Sequence, residues 1–139
     1  MLRITKITDY AIVLLAEMAK ESGLVQARAL SERTRIPRPT VAKILKSLVH
    51  ARLLYSRRGI GGGYALARPA KCIWIIEIIE ALEGPVAITE CSVPSSVRCD
   101  DTEHCGLHGH WTRINAAVRQ TLADMSLEEV CRPLPSKVA

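Results

Sequence analysis

The chain contains no phenylalanine and only two tryptophans and three tyrosines among 139 residues, so its core must be built from Leu, Ile, Val and Ala. It also lacks a long apolar run. The longest, Tyr10 to Ala16, is fenced by Asp9 and Glu17 and falls far short of the ~20 residues that cross a bilayer. No small-residue cleavage site accompanies that stretch, which reads as part of an amphipathic helix; the expectation is a cytoplasmic protein without a secretory leader or a membrane partner. Catalytic signatures are missing too. There is no Ser/His/Asp order, no phosphate loop in the right context, and no carboxylate pair beyond Glu77 and Glu80, read here as surface groups. What is present, 48% apolar and 24% charged residues, fits one globular domain of ordinary composition and no enzyme.

The net charge of +5 hides an asymmetry. Residues 1–68 hold 13 Lys/Arg against 4 Asp/Glu, whereas residues 69–139 hold 6 against 10. Between Arg28 and Arg68 stand ten basic residues and one acid, Glu32. Such a density repels itself unless a polyanion lies nearby, and nucleic acid is the natural candidate.

Apolar spacing organises that basic half. Ile4, Ile7, Ala11, Leu14, Leu15 and Met18 recur at steps of three and four, predicting a helix over about residues 6–19 with Thr5 or Thr8 at its start. A short pattern over residues 27–34 and a turn at Arg35 to Pro37 follow. A third helix is predicted to open at Pro39, with Val41, Ile44, Leu45 and Leu48 as its buried face. Two helices joined by a tight turn outline a helix-turn-helix. Arg35 departs from the pattern, since glycine is common in such turns where φ is positive.

Beyond His50, two short apolar runs flank Arg57-Arg58-Gly59-Ile60-Gly61-Gly62-Gly63, the signature of a β-hairpin, here a wing. The glycines do not make a phosphate loop, because a second strand-like run follows them where a helix would be needed. Arg38, Thr40, Lys43 and Ser47 are read as facing a DNA major groove, Lys46 as reaching phosphate, and Arg57 and Arg58 as entering a minor groove. A helix over about residues 73–82 bridges to the second half. A last helix over about residues 107–125 carries Leu107, Trp111, Ile114, Val118, Leu122 and Met125 in a stripe, with Arg113, Asn115 and Arg119 outward. Such a stripe wants a partner helix, and a two-fold dimer on a palindromic duplex is the expectation.

Five cysteines, at positions 72, 91, 99, 105 and 131, argue against a disulfide framework in a cytosolic chain. Cys91, Cys99 and Cys105 with His108 offer three thiolates and an imidazole, suited to zinc or to an iron–sulfur cluster. No CxxC knuckle of the kind favoured by structural zinc is present, and the long unequal spacers suit a two-iron cluster better than zinc. Reactive thiols without a metal are the alternative. Cys72 and Cys131 are read as small buried hydrophobes.

Together, Met1-Leu-Arg-Ile-Thr-Lys-Ile-Thr-Asp-Tyr-Ala, the wing Arg58-Gly59-Ile60-Gly61-Gly62-Gly63-Tyr64, and Cys91, Cys99, Cys105 with His108 resemble the IscR-type winged-helix regulators of the Rrf2 family over about residues 1–131. The start and wing are most similar to the branch that regulates the SUF iron–sulfur assembly system. The resemblance implies a homodimeric transcription factor, a repressor among other roles, with a 2Fe-2S cluster on Cys91, Cys99, Cys105 and His108. It further implies that cluster occupancy alters DNA binding at cluster-assembly promoters. His104 and His110 are rivals for the fourth ligand; a 4Fe-4S cluster or zinc is the alternative cofactor, and thiol-based redox or nitric-oxide sensing the alternative function. The expected fold is mainly α with a small β-hairpin: a winged helix-turn-helix over residues 1–68, a linking helix over 69–90, a cluster loop over 91–108, and a dimerisation helix with the C-terminal segment over 107–131.

Overall fold

The computed structural model describes residues 3–93 and 104–134. Six helices and one hairpin follow in the order α1 Lys6–Met18, α2 Ala27–Thr34, α3 Arg38–His50, β1 Leu54–Arg57, β2 Gly63–Leu66, α4 Ile75–Glu83, α5 His108–Asp124 and α6 Leu127–Cys131, with 3-10 turns at Ala70–Cys72 and Glu90–Ser92. The core is aliphatic, as the lack of aromatics requires. Leu14, Leu15, Leu30, Val41, Ile44, Leu45 and Leu48 are wholly buried together with Ile73, Ile78 and Leu127.

Helix α1 begins where Thr5 caps it, the Thr5 hydroxyl accepting from the Thr8 N–H at 3.4 Å. The same turn is tied to the far end of α4. One Glu83 oxygen accepts from the Thr5 N–H at 2.9 Å, from the Thr5 hydroxyl at 2.8 Å and from the buried Thr8 hydroxyl. Donation from Thr8, joined by Thr5 and opposed by partial desolvation, holds the Glu83 carboxyl below the usual carboxylate range. A carboxyl depressed on folding stabilises the fold above its unfolded pKa and loses that contribution as pH falls through its folded value. Thermal melts of wild type and Glu83→Gln between about pH 3 and pH 6 should therefore diverge most at the upper end and converge on acidification. Parallel curves would remove Glu83 from the acid response.

The α2–α3 turn explains why arginine is tolerated at position 35. Arg35 sits in the left-handed region at φ 59°, ψ 19°, a conformation that costs a non-glycine residue roughly 1 kcal/mol. Its N–H donates to the Ser31 carbonyl at 2.8 Å, and the Ser31 hydroxyl donates to the Ile36 carbonyl at 2.7 Å. Helix α3 starts one residue earlier than the proline rule suggests: Pro37 is the cap and Arg38 the first helical residue. The helix closes in a Schellman turn. Arg52, at φ 61°, lets the Leu53 N–H reach back to the Leu48 carbonyl at 3.0 Å.

The hairpin pairs Leu54 with Leu66, Tyr55 with Ala65, Ser56 with Tyr64 and Arg57 with Gly63. A third chain segment joins it at one residue. Val25 and Tyr64 exchange N–H to carbonyl bonds of 2.8 Å each, fastening the hairpin to the α1–α2 connection. The approach is so close that a Cβ on Gly63 would lie 2.7 Å from the Val25 carbonyl oxygen.

Helix α4 buries Ile75, Ile76, Ile78 and Ile79 and packs on α1, α3 and α5. Its acids Glu77 and Glu80 are not a free surface pair. Glu77 accepts from Arg68 at 2.8 Å and from the Trp74 N–H at 3.0 Å, while Glu80 takes Arg119 and the Val86 N–H. Both carboxylates are half-buried because each supplies an acceptor that a neighbouring segment needs. Helix α5 ends at Asp124, where the chain extends and pairs with the entry to α4: Ile75 N–H donates to the Met125 carbonyl at 3.0 Å and Leu127 N–H to the Ile73 carbonyl at 2.7 Å. Ser126 then caps α6 reciprocally with Glu129. Cys72 and Cys131 are exposed rather than buried, since the 3-10 turn and α6 turn them outward from the contact that Ile73 and Leu127 make in the core.

Candidate nucleic-acid interface and cysteine site

The buried stripe of α3 fixes what its other side presents. With Val41, Ile44, Leu45 and Leu48 inward, Arg38, Lys43 and Lys46 are exposed, while Thr40 and Ser47 are half-buried along the flanks of the helix. Ser47 donates its hydroxyl back to the Lys43 carbonyl at 3.2 Å. His50, which the sequence reading passed over, is exposed one turn beyond Lys46 and two beyond Lys43, a spacing that places all three on one face. Arg57 closes β1 opposite Gly63, and Arg58 opens the hairpin tip; both are exposed.

Ion pairing sorts the basic residues of this half. Arg28 is taken by Glu32, Arg33 by Glu21 and Arg68 by Glu77. Among the described residues, Arg38, Lys43, Lys46, Arg57 and Arg58 have no carboxylate within ion-pair distance, and neither have Arg35 and Arg52 at the two ends of α3. Between Arg28 and Arg68, the cations without a carboxylate partner among the described residues are therefore those of α3, its flanking turns and the wing; Arg3 and Lys6 at the start of α1 also lack one. A surface of that kind can neutralise phosphates without first breaking internal pairs.

The cysteine segment is anchored from α5. Asn115, expected to face outward, is the buried residue of that helix, and its Oδ1 accepts from the Ile88 N–H at 3.0 Å. Arg119, also expected outward, bridges Glu80 and the Val86 carbonyl. Both side chains turn inward for one reason: the irregular residues Val86 to Ile88, which follow α4, need partners for their backbone groups. The 3-10 turn that follows packs on α5 and carries Cys91, half-buried, with its Sγ 3.1 Å from the Thr89 hydroxyl oxygen. That oxygen is in turn 2.8 Å from Ser92 Oγ.

Cys105 is exposed just ahead of α5, and its carbonyl accepts from the His108 N–H at 3.2 Å. His108 opens α5 half-buried; its Nδ1 is buried and has no hydrogen-bond partner among the described residues. His104 and His110 are exposed. Cys99 lies outside the described residues, and among those described no three His, Cys, Asp or Glu side chains are gathered as a metal site. By their chemistry, the thiols of Cys91 and Cys105 and the imidazole nitrogen of His108, which has no partner among the described residues, are donors of the type that a soft metal centre takes.

A family model described as an iron-dependent transcriptional regulator, Rrf2, matches residues 4–133. The chain belongs to the Rrf2 family. It is 30% identical over 133 residues to the HTH-type transcriptional regulator IscR of Xenorhabdus nematophila, covering 94% of this chain and 80% of that one. Among solved structures, CymR, described as the global cysteine regulator of B. subtilis, superposes with a TM-score of 0.73 at 27% identity over 94% of this chain and 97% of its own. T. potens IscR shares the fold with a TM-score of 0.68 at 23% identity, over 93% and 85% of the two chains. These Rrf2 relatives are winged-helix transcription regulators, not enzymes, which makes this chain a regulator that binds DNA. Among the described residues no helix is long and apolar enough to cross a membrane.

Proposed function

We propose that this Rrf2-family regulator is a homodimer that binds a palindromic duplex and senses iron–sulfur status through a 2Fe-2S cluster, controlling iron–sulfur assembly genes. Arg38, Thr40, Lys43 and Ser47 would meet the major groove, Lys46 phosphate, and Arg57 and Arg58 a minor groove. Support for this division comes from the exposed cations of α3 and the wing that carry no carboxylate partner among the described residues. A second copy is the natural cover for α5, where Leu107, Trp111, Ile114 and Met125 remain exposed while Val118 and Leu122 lean on the core. A two-fold pair of α3 helices then reads half-sites about one DNA turn apart. In this reading residues 1–68 bind DNA, 69–90 link, 91–108 hold the cofactor and 107–131 join the protomers.

The observation that carries the cofactor is the buried Nδ1 of His108, which has no hydrogen-bond partner among the described residues. Cys91, Cys99, Cys105 and His108 would hold the cluster, which supplies a redox-active, loseable crosslink between the 91–108 segment and α5. The chain's own part is to present the ligands: Asn115 and Arg119 fix Val86 to Ile88, and the Thr89 hydroxyl stands beside Cys91. Occupancy then biases the population of DNA-binding conformers. Thiol-based sensing without a cluster is the second reading, favoured by the superposition on CymR. Purification without oxygen, followed by visible absorption with iron, sulfide and zinc content, separates them. Colour with matched iron and sulfide is expected; a colourless protein with one zinc per chain, or with no metal and a reversible response to thiol reductants, would overturn the cluster.

A further inference from the structure

We propose that Ile60 is an apolar contact residue for the minor groove of bound DNA, adding affinity and groove-shape selectivity that the wing arginines do not supply. The proposal rests on the wing engaging a duplex, as argued above. Ile60 is exposed to 108% of its reference area, the most open of the large apolar side chains among the described residues. Solitary exposed apolar residues are ordinary on protein surfaces, so exposure alone decides nothing. Placement does. Ile60 stands at the outermost part of the loop between β1 and β2, beside Arg57 and Arg58, neither of which has a carboxylate partner among the described residues.

The loop is a framed structure. Gly59 and Gly61 hold left-handed φ values of 95° and 72°, and the Gly62 N–H closes a turn on the Gly59 carbonyl at 3.0 Å. A Cβ at Gly62 would fall 2.2 Å from the Arg57 carbonyl oxygen, so the return path of the chain is confined to glycine. This frame keeps the Ile60 side chain away from the body of the protein, where no intramolecular burial rewards it.

The flanking arginines draw this tip toward the deepest negative potential of a duplex, which lies in a narrow minor groove. The apolar surface available there is the deoxyribose walls and the edges of the base steps. Apolar side chains seated at such positions are a recurrent device of minor-groove binding, and their cost and gain depend on groove width and step flexibility. A branched aliphatic tip contributes by area removed from water and releases no counterion. Its contribution is therefore separable from that of Arg58 by salt dependence.

The test uses the full-length protein and a duplex recovered from a randomised pool of about 30 base pairs by the wild type, a length that spans two half-sites. Ile60→Ala should weaken binding about tenfold with the slope of log affinity against log salt unchanged. Ile60→Val should stay within about twofold, and Arg58→Ala should lower the slope by about one. Melting temperatures of the Ile60 variants should match the wild type, because the side chain is free of the core. Hydroxyl-radical footprints should show the sugars protected at the wing position reappearing in Ile60→Ala. Should Ile60→Ala bind as the wild type does while Arg58→Ala shifts the slope, the wing reaches DNA and Ile60 is idle, which overturns the inference alone. If the wild type enriches no duplex, or neither variant changes binding, the wing reading falls and takes the inference with it.

Discussion

Gly63→Ala is expected to destabilise the protein by about 2–4 kcal/mol and to release the wing, one of the largest single effects available in this chain. The added Cβ would lie 2.7 Å from the Val25 carbonyl oxygen and 2.9 Å from its carbonyl carbon. Both are backbone atoms, so no side-chain rotation can relieve the contact. Gly63 also holds φ 154°, at the edge of a region that side chains avoid. Relief requires separating Val25 from Tyr64, which breaks two hydrogen bonds of 2.8 Å and frees the hairpin from the α1–α2 connection. Helix α3 should survive, since Val41, Ile44, Leu45 and Leu48 are buried by helices. Urea unfolding, amide exchange at Val25 and Tyr64, and duplex affinity should therefore all move together while far-UV helicity stays. Gly23→Ala is the matched control, because a Cβ there meets nothing within 4 Å; its stability should change by less than about 0.5 kcal/mol. Equal stability of the two variants would sink the account of the wing's attachment.

The DNA-binding half was legible because its signals are local. Apolar spacing and proline placed α1 to α3 within a residue or two, and the glycine-rich stretch between two apolar runs placed the hairpin. Even the irregularity at Arg35 was visible as a non-glycine where positive φ is wanted, and the chain adopts that φ regardless. The failures share a different character. Asn115, Arg119, Glu77 and Glu80 were read from the helical wheel as solvent-facing, since each lies off the main apolar stripe. A wheel records what one helix prefers and says nothing of an irregular segment docking on its second face. Val86 to Ile88 do dock there, and their N–H and carbonyl groups draw in Glu80, Asn115 and Arg119, while Glu77 is taken by Arg68 and by the Trp74 N–H at the start of its own helix. The single-residue bridge at Val25 is illegible for the same reason: one residue has no period. The average habit of free cysteine points Cys72 and Cys131 inward, whereas the pairing of residues 73–75 with 125–127 buries Ile73 and Leu127 and both cysteines are exposed.

The cysteine site divides along the same line. Residue type leaves zinc, a cluster and bare thiols open, the long unequal spacers favour a two-iron cluster over zinc, and the family resemblance points the same way; the structure contributes a buried His108 nitrogen without a partner among the described residues and the anchoring of the segment ahead of Cys91. On the proposed reading, Cys91→Ala and Cys105→Ala should each abolish visible absorption and bring iron content close to zero. His108→Ala should do the same or leave a cluster lost within minutes in air, whereas His104→Ala and His110→Ala should keep their colour, because the buried imidazole nitrogen without a partner among the described residues is that of His108. Cys72→Ser and Cys131→Ser should be silent, because both lie outside the 91–108 segment that this reading assigns to the cofactor. None of these changes should cost more than about 1 kcal/mol of apo-protein stability, since Cys105 is exposed and Cys91 is half-buried. Loss of colour in a variant that melts with the apo wild type therefore reports ligation and not unfolding. Colour retained in Cys91→Ala would remove that ligand. If the His104→Ala or His110→Ala variant bleaches while His108→Ala does not, the fourth ligand moves, and the buried Nδ1 of His108 must be explained by another partner.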